Sequence, residues 1–132
     1  MYLRVAVAGF LLAQIGGTAR AENCASAATQ SAMTACAGRS FEVADAALNG
    51  AYKKIRSRLK DNAPASMRLR AAQRAWLDFR DAECAFATSA RSGGSVYPML
   101  LAICRTALTQ TRVQQLEAYL RCQEGDLSCP AP

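Results

Sequence analysis

Apolar residues recur at steps of three and four along most of this chain, a spacing that predicts helices. Phe41, Ala44, Leu48, Ala51, Ile55 and Leu59 form the first stripe. The segment carrying it starts near Thr29 or Cys36. It should stop around Asp61-Asn62-Ala63-Pro64, because proline disfavours helical geometry in the residue before it. A second stripe comprises Leu69, Ala72, Trp76, Phe79 and Phe86. It begins at Ala65-Ser66, where Ser66 is suited to cap a helix, and ends before the turn cluster Ser92-Gly93-Gly94-Ser95. The third segment starts near Tyr97-Pro98, with proline in the first turn. Leu101, Cys104, Leu108, Leu116 and Tyr119 follow, and the pattern stops near Cys122, before Glu124-Gly125-Asp126.

β-branched residues are few and alanine is abundant, which favours helix over strand. Short connections make neighbouring helices antiparallel. The fold class expected is all-α: a disulfide-braced antiparallel three-helix bundle, running up, down and up. It becomes a four-helix bundle if residues 25–35 form a short N-terminal helix of their own. Neither a repeat nor a second domain is visible in the pattern.

The N-terminal residues change the picture by adding an export signal. Arg4 supplies the positive start, Val5 to Ile15 an apolar stretch, and Gly16, Gly17 and Thr18 the break. Ala19-Arg20-Ala21 is a small-x-small cleavage site. Eleven residues from Val5 to Ile15 are too few for a membrane-spanning helix, which needs about 20. Cys24 follows Ala21-Glu22-Asn23, not the small apolar triplet that precedes a lipidated cysteine. The expected organisation is a signal peptide at residues 1–21, cleaved after Ala21, a helical domain at 22–122, and a tail at 123–132 holding a disulfide loop. The product should be periplasmic or secreted and not membrane-spanning.

Six cysteines, Cys24, Cys36, Cys84, Cys104, Cys122 and Cys129, lie beyond that segment. An even count in an oxidising compartment reads as three bridges. Cys84 and Cys104 flank the Gly93-Gly94 turn at similar distances, so an antiparallel hairpin brings them level. Cys122 and Cys129 can close a small loop, which leaves Cys24 with Cys36. That last bridge requires a break in helix, since a continuous helix rises about 1.5 Å per residue and would hold the two too far apart. A rival scheme, Cys36–Cys84 with Cys24–Cys104, also suits the topology.

Charge and composition narrow the chemistry. Cleavage would remove Arg4 and Arg20 and no acid, taking the formal charge from +6 to +4. That mild excess, on an exported chain, does not suit nucleic acid. The chain contains no histidine, hence neither the usual general base nor the commonest zinc ligand. No C-x-x-C occurs. Acids such as Asp78 with Asp81 or Glu83 have no setting that would raise one pKa for glycosidase work. The expectation is a non-enzyme without cofactor or metal.

Asp45, Asn49, Arg74, Arg80, Asp81 and Arg112 border the apolar stripes. Charges pointing into a bundle must be paired, so these residues, with Trp76 in the core beside them, predict a structural network that locks helix register. The run from Lys53 to Lys60 (KKIRSRLK) complements a helix C-terminus and solvates an outer face; its functional alternative is attraction to anionic envelope glycans or lipid head groups. Gly93, Gly94, Ser95 and Tyr97 are the candidate partner-contacting tip, because small residues allow close backbone approach.

Several motifs carry a resemblance. They are Cys24 with Thr29-Gln30-x-x-Met33-x-x-Cys36-Ala37, Ala44-Asp45-x-x-Leu48-Asn49-x-x-Tyr52, and Leu69-x-x-Ala72-Gln73-Arg74-Ala75-Trp76-Leu77-x-Phe79-Arg80-Asp81-Ala82-Glu83-Cys84. Gly93-Gly94-Ser95, Cys104 and Leu108-Thr109-x-x-Arg112 complete the set. Over roughly residues 24–120 the chain resembles the small secreted family named for the lysozyme inhibitor LprI. Cys122 and Cys129 are additional to its shared four-cysteine pattern. The resemblance implies an exported binding protein that inhibits lysozyme by occluding its cleft, or an envelope adaptor that does not. The implied partner is lysozyme or another envelope or secreted protein, and the resemblance carries over no catalytic residues. Common lysozymes are basic, as this domain is, so long-range attraction would not assist encounter. Contact would have to be local, through the Gly93–Tyr97 tip or Asp126.

Overall fold

The computed structural model describes residues 24–132. The expected export signal, residues 1–21, lies outside the described residues. Three helices make up the fold: α1 (Gln30–Arg58), α2 (Ala63–Ala87) and α3 (Tyr97–Arg121). The described residues contain no strand. The chain is all-α and braced by three disulfides, Cys24–Cys36, Cys84–Cys104 and Cys122–Cys129, which is the first of the two pairing schemes.

Thr29 caps α1, its hydroxyl accepting the Ala32 amide at 3.1 Å. Residues 30–35 belong to α1, and only a single 3-10 turn, Cys24–Ser26, precedes it. A separate helix over 25–35 is therefore corrected to this turn. The break at Ala27–Thr29 lets the chain double back and close Cys24–Cys36.

The start of α2 also differs from expectation. Asn62, not Ser66, is the cap, and its Oδ1 accepts the Ala65 amide at 3.1 Å. Ala63 is helical, and Pro64 stands in the first turn, where its missing N–H has no intrahelical partner to lose. Proline here opens the second helix rather than ending the first at a distance. Asn62→Ala should lower stability by about 1 kcal/mol, measured by urea unfolding; an unchanged midpoint would remove Asn62 from the cap.

Helices α1 and α3 make the closest backbone packing. They run parallel: Gln30 Nε2 reaches Met99 Sδ at 3.5 Å near both helix starts, and farther along Ala44 and Ala47 line a cleft with Gln110 and Val113. Ala37, Ala44 and Ala51, seven residues apart, are all buried on α1, and such small side chains let two helices approach closely. Helix α2 returns antiparallel across this pair.

The core gathers Leu48, Ile55, Leu59 and Leu116 with Ala51 and Ala131, flanked by Leu69, Trp76 and Val113. Ala131 is buried because the tail turns back after α3. Its carbonyl accepts from Arg58 Nη1 at 3.2 Å, and the Cys122–Cys129 bridge closes the turn. Three members of the predicted α2 stripe are corrected: Ala72 is exposed, and Phe79 and Phe86 are 53% and 77% exposed. Tyr119 on α3 is also 38% exposed.

Candidate functional site

Two regions hold the residues singled out in the sequence: a polar seam where α2 crosses the α1–α3 pair, and the connection from α2 to α3. Arg80 is the centre of the seam. Its buried guanidinium lies 3.3 Å from Asp45 Oδ1 and 3.0 Å from Asp81 Oδ1. Its Nη1 is also 3.5 Å from the hydroxyl of Thr109, which is fully buried. Asn49 Nδ2 donates to the other Asp45 oxygen at 3.2 Å.

Aromatic faces close the cage. The Arg80 guanidinium stands 5.2 Å from the Phe41 ring centroid and 5.4 Å from that of Trp76, within cation–π range. Arg112 covers Trp76 at 5.9 Å. Its Nε donates to Gln73 Oε1 at 3.2 Å, and its Nη1 to Gln115 Oε1 at 3.1 Å. Burial holds the Arg112 guanidinium below the usual arginine range, against an opposing pull from Tyr119. Arg105 Nε lies 3.2 Å from Asp81 Oδ1. That is a charge contact without a hydrogen bond, since the buried Nε finds no partner of suitable geometry.

The structure thus brings together Asp45, Asn49, Trp76, Arg80, Asp81 and Arg112. Arg74 is corrected: it is exposed on α2 and makes none of the contacts of the seam. Sequence reasoning missed Gln73, Thr109, Arg105 and Phe41 as partners. Gln73, Arg80 and Cys84 are buried at helical spacing, a signal that a search for apolar residues alone passes over.

Both aspartates in this cage are committed to guanidinium partners. Chemically the arrangement can fix the register of three helices, and it holds no carboxylate in an apolar setting suited to acid catalysis.

The second region is the connection between α2 and α3. Helix α2 ends at Thr88, whose buried hydroxyl donates to the Cys84 carbonyl at 2.7 Å. A 3-10 turn follows at Ser89–Arg91. The Gly94 amide then donates to Arg91 O at 3.0 Å, and the Tyr97 amide to Gly94 O at 3.1 Å. Gly93 has φ +79°, a conformation that costs a side-chain-bearing residue roughly 1–2 kcal/mol. Gly93, Gly94 and Ser95 are exposed, and Tyr97 is half-buried. Cys84–Cys104 ties the base of this tip to both helices.

The family model described as "Lysozyme inhibitor LprI" matches residues 21–116, most of the chain. The chain belongs to the LprI lysozyme inhibitor family. A protein of Rhizobium meliloti (strain 1021), described as uncharacterized, is 31% identical over 114 residues, covering 78% of this chain and 82% of its own length. No solved structure matches the chain.

The family is named for inhibition and not for catalysis. Three disulfides fit a protein that works in an oxidising compartment outside the cytoplasm. Among the described residues no helix is long and apolar enough to cross a membrane.

Proposed function

We propose that this member of the family is an exported binding protein, periplasmic or secreted, that inhibits lysozyme by occluding its cleft with the Gly93–Tyr97 tip. The observation that carries the reading is the tip itself. It is exposed, yet it is held by two successive backbone hydrogen bonds and a disulfide at its base. A loop already ordered before contact loses little conformational freedom on binding, which favours affinity.

Charge supports the same face. Glycosidase clefts present a pair of carboxylates, and exposed Arg91 stands at the edge of the tip. The surrounding half of the bundle carries Glu42, Asp45, Asp78, Asp81 and Glu83 against Arg39, Arg80, Arg91 and Arg105. The net positive charge of the chain therefore does not reside at this end, and repulsion from a basic lysozyme is weakest there.

A second reading, an envelope adaptor without lysozyme inhibition, is favoured by exposed Phe79 and Phe86 on α2, a surface the tip mechanism leaves unused. A bacterial lysis assay separates the two. Oxidised protein at tens of micromolar should slow at least one lysozyme type, and Ser95→Trp should weaken that inhibition about tenfold or more by obstructing the contact. The Ser95→Trp melting temperature should stay unchanged, because Ser95 is exposed. Lack of inhibition across several lysozyme types would retire the first reading in favour of the adaptor.

A further inference from the structure

The charges of the molecule are divided between its two ends. Lys53, Lys54, Arg56, Arg58 and Lys60 close α1, and Arg68, Arg70 and Arg74 lie in the first half of α2. Arg121 ends α3. The antiparallel course of α2 puts all of these at the end opposite the tip, and every one is exposed. The acids there are Asp61, Glu117, Glu124 and Asp126. Nine exposed cations, besides half-buried Arg112, thus face four acids at this base, whereas the tip half is near balance.

Helix-terminus chemistry accounts for only part of this cluster. Basic residues in the last turn of α1 complement its dipole, but Arg68, Arg70 and Arg74 sit near the start of α2, where cations gain nothing from the dipole. Pairing does not account for it either. Lys60–Asp61 and Arg121–Glu117 are both 3.9 Å apart and solvent-exposed, and such pairs contribute little.

The same end carries two exposed apolar side chains. Met67 on α2 is 66% exposed. Leu127 is fully exposed on the loop closed by Cys122–Cys129. That loop is built to present it. Gly125 takes φ +93°, and Asp126 Oδ1 accepts both the Ser128 amide at 2.8 Å and the Ser128 hydroxyl at 2.7 Å. These bonds hold the Asp126 carboxyl below the usual carboxylate range. A leucine held outward beside a cationic surface is the arrangement of a protein that rests on a lipid headgroup layer and inserts a side chain.

We propose that the basic end of the bundle docks on an anionic phospholipid bilayer, with Leu127 and Met67 entering the headgroup region. The tip then faces away from the membrane, free to meet a soluble partner. This inference does not rest on the lysozyme reading, and its test is separate from the lysis assay.

The experiment is vesicle flotation with the oxidised chain lacking residues 1–21. Vesicles containing phosphatidylglycerol should carry the protein at low ionic strength and release it at high ionic strength. Vesicles of phosphatidylcholine alone should carry almost none. Lys53→Gln with Lys54→Gln should weaken binding about thirtyfold, taking each cation near the surface at its usual contribution. Leu127→Ser should weaken it about tenfold, with an unchanged melting temperature because the side chain touches nothing in the fold. Ser95→Trp should bind vesicles as the wild type does. Equal recovery on both vesicle types would overturn the proposal. So would retention by a soluble anionic polysaccharide without any flotation on phosphatidylglycerol.

Discussion

Arg80→Met should lower the stability of the oxidised protein by about 2–3 kcal/mol, read from urea unfolding of wild type and variant in parallel. Breaking a buried ion pair usually costs about 3–5 kcal/mol because the partner charge is left uncompensated. Asp45 and Asp81 have side chains 38% and 47% exposed, so water takes over part of the lost interaction and the lower end applies. Methionine retains apolar contact with Phe41 and Trp76 but leaves the Thr109 hydroxyl, fully buried, without its guanidinium neighbour. Arg74→Met on the same helix is the control. It should change stability by no more than about 0.5 kcal/mol, since Arg74 is exposed and outside the seam. Equal effects at the two positions would show that Arg80 is not the keystone of the seam.

That contrast marks where sequence pattern stops being informative. On α1 the stripe Phe41, Ala44, Leu48, Ala51, Ile55 and Leu59 is buried or half-buried throughout: Leu48, Ala51, Ile55 and Leu59 pack with Leu116 and its aliphatic neighbours, and Phe41 lies against the Arg80 guanidinium. On α2 the inward line includes Gln73, Arg80 and Cys84, and Phe79 and Phe86 point out. Apolar spacing reports burial less well where the neighbours are polar, and α2 crosses a surface that offers carboxylates, a threonine and aromatic faces. The bordering charges Asp45, Arg80 and Asp81 were readable as a paired set. Thr109 was not, although it lies seven residues before buried Leu116 on the same face of α3.

The helix ends were legible to within a few residues, and each displacement has a local cause. Pro64 is compatible with a first turn, so α2 starts at Ala63, behind an Asn62 cap. The tip was legible as a Gly-Gly-Ser connection, but its rigidity was not. That rigidity comes from Thr88, the 3-10 turn and the φ of Gly93, which composition alone does not encode. The docking of the tail through Ala131 and Arg58 likewise had no pattern to announce it, since it depends on a chain reversal imposed by Cys122–Cys129.

Removing the Cys84–Cys104 bridge, by Cys84→Ala with Cys104→Ala, should cost about 3 kcal/mol in denaturant unfolding. The two residues are 20 apart in sequence, and closing a loop of that length in the unfolded chain accounts for most of the figure. Cys122–Cys129 spans only 7, so the matching double alanine variant there should cost less, about 2 kcal/mol. The larger loss should also be localised. Helix α2 lacks the close backbone packing that joins α1 to α3, and beyond Arg80 its C-terminal turns are held chiefly by Cys84 and by the Thr88 cap. Amide exchange should therefore quicken first between Cys84 and Tyr97, while α1 around Leu48 keeps its protection. If the tip is the inhibitory contact, inhibition should fall in this variant even where the bundle remains folded, because the loop must then be ordered on binding. Uniform loss of protection across all three helices would show instead that the bridge supports the bundle as a whole and gives the tip no rigidity of its own.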